Sequence, residues 1–269
     1  MKFGITANPE IPHARKGVEA ILAEIGTKHK VVLESEIAAA LGKKGTTLEK
    51  MDADFLLAIG GDGTVLRALQ RTTAKLLGIN SGSLGFLTEV TVAEFPRALL
   101  RLAARDFLVE ERTKLKVIVD GERLYDCTNE AVLHTAHIAK IRDFEVWLNS
   151  TLVQKVRADG IIVATPTGST SYNLSVGGPI VDPRVEAFVI SAIAPFKPAA
   201  RATVVPTSAQ IRVRLSKPKE CLLVLDGQHE VELKGSEDIR MEGSDKRANL
   251  VKFGEDFYRR IEEKLVARR

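Results

Sequence analysis

An apolar strand that runs directly into a glycine turn and then into a helix constrains this chain more than any other feature. Residues 55–59 are apolar, residues 60–64 read Gly-Gly-Asp-Gly-Thr, and helical spacing continues to about Arg71. Backbone amides in such a turn approach a phosphate closely, and the helix points its N-terminus at it. A carboxylate beside a phosphate is unfavourable unless it has a chemical task, such as orienting a hydroxyl nucleophile. The turn predicts a phosphate site with Asp62 as the catalytic candidate; the alternative is that Asp62 only caps the helix.

Two better-known phosphate motifs do not fit the chain. The nearest approach to a Walker loop, at residues 42–44, has Lys where Ser or Thr is required. A dinucleotide fingerprint that starts at Gly61 has Leu66 in place of the third glycine, which would let the helix pack on the strand. The glycine turn therefore belongs to a different class of phosphate site.

The first hundred residues alternate between strand and helix patterns, which predicts an α/β domain with a parallel sheet. Strands are expected at 2–7, 30–33, 55–59 and 75–79, and helices at 14–27, 64–71 and 93–104. Ligands of such sheets bind at the carboxyl ends of the strands. Both the glycine turn and the segment 80–86 follow a strand, so we expect the site at this edge of the sheet.

From about residue 107 the pattern changes to short, alternating strands. They are expected at 115–119, 130–135, 144–148, 152–156, 160–164, 190–196, 210–215, 222–225 and 230–233. Many such strands with Asp-Gly turns predict a β-sandwich. The amphipathic segment 255–269 has no core of its own, and we expect a helix that packs back on the first domain. The predicted domains are therefore an α/β domain over 1–106 with the tail 250–269, and a β-sandwich over 107–249.

Composition argues against several classes of function. The net charge is only +4 over 269 residues and the basic residues are scattered, which argues against a nucleic-acid partner. No stretch reaches the roughly 18 apolar residues of a membrane span. Cys127 and Cys221 lack metal-ligand spacing, and we expect a reducing, cytoplasmic location rather than a disulfide framework.

A second loop, at residues 165–175, complements the glycine turn. It reads Thr-Pro-Thr-Gly-Ser-Thr-Ser-Tyr-Asn-Leu-Ser, and its hydroxyls and amides suit sugar and phosphate oxygens, although alone it is equally a turn that caps a helix. Together with 60–64, 80–86, 129–130 and 157–160, in this order and spacing, it makes the chain resemble the NAD kinase family over nearly its whole length. The glycine turn is shared with lipid kinases, whereas the long loop is more specific. A prokaryotic source is expected.

The resemblance implies transfer of the γ-phosphoryl group of ATP to the 2′-hydroxyl of the adenosine ribose of NAD, giving NADP. Asp62 would accept the proton of that hydroxyl, with Glu130 as the alternative base. Mg²⁺, or another divalent cation, would arrive with the triphosphate, without a metal site built from protein side chains. The residues expected at the dinucleotide or its phosphates are Asp62, Gly63, Arg67, Asn129, Glu130, Lys140, Arg157, Asp159, Thr170, Ser171, Tyr172, Asn173, Leu174, Ser175, Ala194 and Gln228.

Within these contacts the resemblance suggests some specific roles. Glu130 would accept hydrogen bonds from ribose hydroxyls. Members of the family are dimers or tetramers, so a homodimer or homotetramer is expected, in which Arg157 and Asp159 are candidates for contact across subunits. The chain departs from the family at Ser171, where Ala is usual, and at Phe196, where many members have His.

Three alternative functions remain open at this point. A lipid or sphingoid kinase needs an apolar groove, which the hydroxyl-rich loop does not suggest. A non-catalytic NADP(H) sensor would gain nothing from the carboxylate of Asp62 beside phosphates. An NADP phosphatase would need a metal-carboxylate cluster that the sequence does not display. A phosphoryl donor other than ATP is also compatible with the sequence.

Overall fold

The chain divides into two compact units. The computed structural model describes residues 1–82, 85–137, 140–197, 200–254 and 257–266. We call the unit formed by residues 1–111 and 248–269 the α/β unit, and the unit formed by residues 112–247 the β unit.

The α/β unit is built on parallel strands. Its first elements are β1 (Lys2–Ala7), α1 (Pro12–Ile25), β2 (Lys30–Leu33), α2 (Ser35–Ala40), β3 (Phe55–Gly60), α3 (Asp62–Arg71), β4 (Leu76–Asn80), β5 (Val90–Thr91) and α4 (Phe95–Ala103), with 3₁₀ turns at Leu48–Lys50 and Val92–Glu94. Strands β2, β1, β3 and β4 lie side by side in that order, and each pair is parallel. The predicted α/β class is confirmed. Helix α2 was not predicted, because its six residues are too few to display a helical period.

Strand β3 is buried on both faces, as its continuous apolar sequence requires. Leu57 and Ile59 pack with the apolar face of α1, whereas Leu56 and Ala58 pack with that of α3. This alternation follows from the two-residue period of a strand. Helices on both faces leave the carboxyl ends of the strands as the accessible edge of the sheet.

The β unit is a sandwich of two antiparallel sheets. Its elements are β6 (Leu108–Val119), β7 (Glu122–Arg123), β8 (Glu130–Thr135), β9 (Arg142–Leu148), β10 (Thr151–Ala158), β11 (Gly160–Ala164), α5 (Tyr172–Ser175), β12 (Ala187–Ile193), β13 (Thr203–Pro206), β14 (Ile211–Leu215), β15 (Cys221–Leu225) and β16 (His229–Leu233), with a 3₁₀ turn at Thr167–Thr170. One sheet has the order β13-β12-β11-β8-β15-β16, and the other contains β10, β9 and β14. Leu133 of the first sheet and Phe144 of the second belong to one buried apolar core. The predicted sandwich is confirmed.

Strand β17 (Ile239–Lys252) begins in the β unit and ends in the α/β unit, where α6 (Phe257–Ile261) and a π-helical turn (Glu262–Val266) follow. Neither β13 nor β17 was predicted. The centre of β17 is rich in charged residues and glycine, which is typical of a turn rather than a strand. The predicted return of a helix to the first domain is confirmed, although residues 255, 256 and 267–269 of the predicted segment lie outside the described residues. None of the described helices is long and apolar enough to cross a membrane.

Candidate functional site

Asp62 is the first residue of α3, and only Gly61 separates it from the end of β3. Gly60 and Asn80 are register partners at the ends of β3 and β4. The turn after β3 and the segment after β4 therefore lie at the same edge of the sheet. Among the described residues, the partners of the Asp62 carboxylate belong to that second segment and not to the first turn of α3. The alternative that Asp62 only caps its own helix is therefore wrong.

Three consecutive backbone amides hold the Asp62 carboxylate. The N–H of Phe86 donates to Oδ2 at 2.7 Å, and those of Leu87 and Thr88 donate to Oδ1 at 2.9 and 3.3 Å. A carboxylate has about four acceptor positions. Partners among the described residues occupy three of them, so the remaining position is on Oδ2. The half-buried carboxylate is thus fixed in orientation while one oxygen stays able to accept a proton.

Gly85 allows this close approach. A Cβ atom at this position would overlap with Oδ1 of Asp62, so a larger residue would displace the carboxylate or the segment. The N–H of Gly85 donates to the Thr88 hydroxyl at 2.9 Å, and the amide of Asn80 donates to the same hydroxyl at 3.2 Å. The segment is therefore tied to the end of β4. Residues 83–84 of the predicted turn lie outside the described residues.

Arg67 does not point to a phosphate site in this structure. Its guanidinium donates to Glu34 Oε2 at 2.7 Å and to Glu36 Oε2 at 2.9 Å. It also donates to the hydroxyl of Thr6 at 2.9 Å. Because two carboxylates already compensate its charge, a phosphate would have to compete with both. The expected phosphate contact of Arg67 gains no support, and the side chain instead ties α3 to the residues that follow β2.

The β unit contains a second carboxylate that is held by three consecutive amides. Asp226 Oδ2 accepts from the N–H of Thr128 at 2.8 Å, and Oδ1 accepts from those of Asn129 and Glu130 at 2.7 and 3.1 Å. Asp226 is only 3 % exposed. Burial raises its pKa to about 6, although the three amide bonds act in the opposite direction. Asp226 thus fixes the backbone that carries two predicted ligand contacts.

The loop at 165–175 lies against the same backbone. The N–H of Thr165 donates to the carbonyl oxygen of Asn129 at 2.8 Å. A Cβ atom on Gly168 would overlap with the backbone of Asn129, which explains why glycine occupies this position. The hydroxyl of Ser171 donates to Glu130 Oε1 at 3.3 Å. The structure therefore brings the two predicted parts of the dinucleotide site in the β unit together.

Glu130 is a buried carboxyl group that keeps its proton at neutral pH. Burial, and after it the negative charge of Asp226, raise the pKa of Glu130 to about 8. Within the part of the chain that the structure describes, its buried Oε2 atom has no hydrogen-bond partner. The expectation that Glu130 accepts hydrogen bonds from ribose hydroxyls stays a prediction, and a protonated carboxyl group could also donate one. A group that already carries a proton is also poorly suited to be the base.

Asn173 holds the loop in this structure, and its expected ligand contact gains no support and stays a prediction. It is fully buried; its side chain accepts from the Ser191 hydroxyl at 2.7 Å and donates to the Pro179 carbonyl at 3.2 Å. A fully buried side chain cannot touch a ligand unless the loop rearranges. The other predicted contacts of the loop are exposed or half-buried: Thr170, Ser171, Tyr172, Leu174 and Ser175.

Two predicted contacts lie around the end of β12. Ala194 has a φ of 44°, a left-handed conformation that is uncommon for a residue other than glycine. The exposed guanidinium of Arg157 lies 5.7 Å from the ring centroid of Phe196, which is itself 69 % exposed. The remaining predicted contacts are exposed or half-buried: Gly63, Lys140, Asp159 and Gln228.

Sequence reasoning missed two groups that support these sites. Asp226 and Gly227 both have positive φ, as the predicted Asp-Gly turn requires, but nothing local indicates that the Asp226 side chain is buried. Lys114 is 2 % exposed, and burial lowers its pKa while Asp126 and Asp226 oppose this change. In the sequence, the feature that could have indicated a buried cation is the position of Lys114 at the start of an apolar, alternating strand.

Comparison with known proteins places these features in a family. Profiles of the ATP-NAD kinase N-terminal and C-terminal domains match residues 14–107 and 128–253. The chain is 37 % identical over 267 residues to an NAD kinase of Thermoplasma acidophilum, with 99 % of this chain and 98 % of that one covered. It is 41 % identical over 274 residues to an NAD kinase of Methanothermobacter thermautotrophicus, with 99 % and 96 % covered.

Solved structures share the fold. An NAD kinase from Archaeoglobus fulgidus in complex with ATP has a TM-score of 0.77 and 30 % identity, with 98 % of each chain covered. Yeast NADH kinase complexed with NADH has a TM-score of 0.89 and 24 % identity, with 100 % of this chain and 89 % of that one covered. The likeness to the yeast protein concerns the fold alone.

Proposed function

The chain belongs to the NAD kinase family, and we propose how its residues carry out the reaction of that family. The reaction is the ATP-dependent phosphorylation of NAD to NADP. The 2′-hydroxyl oxygen of the adenosine ribose forms a bond to the γ-phosphorus, the bond from that phosphorus to the β–γ bridging oxygen breaks, and ADP leaves. The hydroxyl proton has to pass to a base.

We assign the role of base to Asp62. The observation that carries this assignment is the Asp62 carboxylate: three amides hold it, and within the ranges that the structure describes it keeps one acceptor position on Oδ2. A fixed carboxylate within hydrogen-bond reach orients a hydroxyl and takes its proton late, with typical gains of about 10²–10⁴-fold. Glu130 is the weaker candidate, because with a pKa of about 8 it is protonated at neutral pH.

On this proposal NAD binds to the β unit along residues 129–130 and the loop at 165–175. The protonated carboxyl of Glu130 would donate to a ribose oxygen, and the hydroxyl of Ser171 supports Glu130 at 3.3 Å. The ring of Tyr172 is 39 % exposed and offers a face to a nucleobase. Arg157 offers an exposed cation to the pyrophosphate.

A cleft in the α/β unit is a candidate for the phosphates of ATP. This cleft of about 350 Å³ opens beside Ser81 and Gly82, which follow β4, and its walls carry Lys16 and His13 near the start of α1. The cationic side chain of Lys16 favours an anionic ligand. The cleft supports an anionic ligand at the carboxyl end of β4, which is at the same edge of the sheet as the end of β3.

Mg²⁺ would enter with the triphosphate. Within the described ranges there is no group of three or more His, Cys, Asp or Glu side chains that could hold a metal ion. Mg²⁺ characteristically uses substrate phosphates together with only one or two carboxylates, so a triphosphate can bring the cation without a cage of protein side chains. When bound, the cation compensates the negative charge that accumulates during phosphoryl transfer.

We further propose that the protein is a cytoplasmic homodimer or homotetramer. Four large apolar side chains of the β unit, on β10, β13 and the segment after β12, are between 42 and 69 % exposed: Leu152, Val153, Phe196 and Val204. Such exposure is expected of an assembly surface. Cys127 and Cys221 are both buried and free, which is compatible with a reducing compartment.

The test of the assigned base is NADP formation from NAD, ATP and Mg²⁺ by the wild type and by Asp62→Asn. Asn has nearly the shape of Asp but cannot accept the proton, so we expect kcat to fall by at least about 10²-fold. Binding of NAD, measured by calorimetry, should be retained. Glu130→Gln is the matched comparison in the β unit, and its kcat should fall much less.

The outcomes separate the alternatives. An Asp62→Asn variant that keeps its kcat would remove Asp62 as the base. A folded wild type that binds NADP but forms none with ATP or any other nucleotide would be a sensor and not a kinase. Activity with a donor other than ATP would keep the mechanism and change only the donor.

A further inference from the structure

Arg260, on helix α6, lies directly against the segment that holds Asp62. Its Nη1 atom donates to the carbonyl oxygens of Phe86 and Thr88, at 2.9 and 2.5 Å. The Arg260 side chain is only 4 % exposed. A single buried guanidinium therefore binds the carbonyl side of the three-residue segment 86–88, whose amide side binds the Asp62 carboxylate.

The peptide unit between Phe86 and Leu87 is hydrogen-bonded to a charged side chain at each end. Its carbonyl oxygen accepts from Arg260, and its N–H donates to Asp62. In a trans peptide these two groups are rigidly linked and point in opposite directions. A cation at the oxygen and an anion at the N–H polarise the unit in the same sense, so each hydrogen bond strengthens the other. Arg260 thus affects both the position of the donor and its strength.

Glu89 determines where the guanidinium lies. Its Oε2 atom accepts from Arg260 Nη2 at 2.7 Å and from Lys252 Nζ at 2.8 Å, and its Oε1 atom accepts from the N–H of Phe253 at 2.7 Å. The Glu89 side chain is 1 % exposed. Because a buried ionic network tolerates few alternative geometries, the guanidinium has a defined orientation toward the segment 86–88.

The π-helical turn after α6 contacts the same segment. Lys264 Nζ lies 4.7 Å from the ring centroid of Phe86. Burial lowers the pKa of Lys264, and the negative charge of Asp62 opposes this change, which indicates that the two charges influence each other. The residues around α6 therefore contact Phe86 through both its carbonyl oxygen and its ring.

We propose that Arg260 is a positioning residue for phosphoryl transfer, which holds the segment 86–88 so that Asp62 presents its free Oδ2 position to the substrate hydroxyl. The proposal rests on the assignment of Asp62 as the base. Arg260 lies behind the segment and acts only through it. Its loss should therefore lower kcat and leave the affinities for NAD and ATP unchanged.

The experiment compares Arg260→Gln and Arg260→Lys with two controls. Arg259→Gln changes the neighbouring arginine, which is exposed and pairs with Glu263 at 3.0 Å. Lys252→Met removes the other cation of Glu89 and leaves the bond between Arg260 and Glu89 in place. We expect kcat of Arg260→Gln, per mole of folded protein, to fall about 10²-fold, as for other small displacements of reacting groups. The kcat of Arg260→Lys should fall less. Arg259→Gln should keep the wild-type kcat, and Lys252→Met, which keeps the Arg260–Glu89 pair, should lose much less than Arg260→Gln.

A second measurement follows the amides themselves. In ¹H–¹⁵N NMR spectra, the signals of Phe86, Leu87 and Thr88 should shift in Arg260→Gln and in Asp62→Asn, and stay in place in Lys252→Met. Equal losses of kcat in Arg260→Gln and Lys252→Met would overturn the proposal, since they would report stability alone.

The same variants distinguish this proposal from the assignment of the base. A wild-type kcat in Arg260→Gln would overturn the positioning role while Asp62 remains the base. If Arg260→Gln does not fold, a wild-type kcat in Arg260→Lys together with displaced amide signals would have the same meaning. A kcat that survives in Asp62→Asn would instead overturn the role of Asp62, whatever Arg260 does.

Discussion

Asp62 in the α/β unit and Asp226 in the β unit are held by the same pattern of hydrogen bonds. In each case the first of three consecutive amides donates to Oδ2 and the next two donate to Oδ1. Their surroundings differ, because Asp62 is half-buried whereas Asp226 is 3 % exposed. Three amides therefore fix where a carboxylate points, but exposure decides whether its last acceptor position is available to a substrate.

The difference extends to the neighbouring charges. Asp226 lies near two further buried ionisable groups, Lys114 and Glu130, which influence its charge or are influenced by it. Asp62 has Lys264 as a charged neighbour in the α/β unit. The buried group is suited to holding backbone in place, and the accessible group is suited to exchanging a proton. Four predictions test this comparison.

The largest effect should come from exchanging each aspartate for asparagine. Asp62→Asn should abolish most of the activity, and because Asp62 is only half-buried its melting temperature should fall less than that of Asp226→Asn. Asp226→Asn should instead lower the melting temperature by about 5 °C, because a buried site loses charge-assisted bonds worth about 2–3 kcal/mol in total. Calorimetry and NADP assays on both variants check this. Equal losses of stability in the two variants would contradict the comparison.

Gly85→Ala should have the next largest effect, on kcat. The new methyl group would overlap with the Asp62 carboxylate, so the oxygen that accepts the proton would move. We expect kcat to fall about 10-fold or more, as for other misplaced catalytic groups. The decrease in the free energy of unfolding caused by Gly85→Ala reports the steric overlap. It should be smaller in an Asp62→Ala background, where the carboxylate is absent. The same cost in both backgrounds would show that the collision is elsewhere.

Glu130 should make stability depend on pH. Its pKa rises from an ordinary 4.5 to about 8 in the folded protein. Between these values the folded state binds more protons than the unfolded state, so stability falls as the pH rises. Between pH 6 and pH 8.5 the melting temperature of the wild type should fall by about 4 °C more than that of Glu130→Gln. Glu230→Gln, at an exposed position of β16, is the control that should follow the wild type.

The smallest effect should come from Ser171→Ala. The Ser171 hydroxyl donates to Glu130 and lowers the pKa of that carboxyl, against the larger effect of burial. Removing the hydroxyl should raise the pKa of Glu130 further, by less than about one unit. The pH range over which the melting temperature falls should move upward accordingly. A downward movement would contradict the assigned direction of this hydrogen bond.

How far the sequence predicts this molecule depends on whether a feature is local. Alternating strands and helices, the short strands of the sandwich and the glycine turn are local patterns, and the structure confirms the fold that they predict. Strand β17 was not predicted because its charged, glycine-containing centre is typical of a turn. Helical spacing predicts that Arg67 reaches a phosphate, whereas in the structure Arg67 binds Glu34, which is distant in the sequence.

The same reason explains what was missing from the candidate sites. Asp62 stands out within five residues of sequence, but Asp226 reaches residues 128–130 and Arg260 reaches residues 86–89 only through the fold. Burial likewise cannot be deduced for Asn173, whose polar neighbours suggest an accessible loop. Contacts between distant parts of a chain leave no periodic signal in its sequence.

The position of Arg260 along the chain has a consequence for synthesis on the ribosome. Segments fold in the order in which they emerge, at least in part. The glycine turn, β3, α3 and β4 leave the ribosome early, whereas α6 follows only after the whole β unit has been translated. If Arg260 positions Asp62 as proposed, a nascent chain with a complete Gly-Gly-Asp-Gly-Thr turn is still a poor kinase. Translation itself then delays phosphoryl transfer until the surrounding protein has been made.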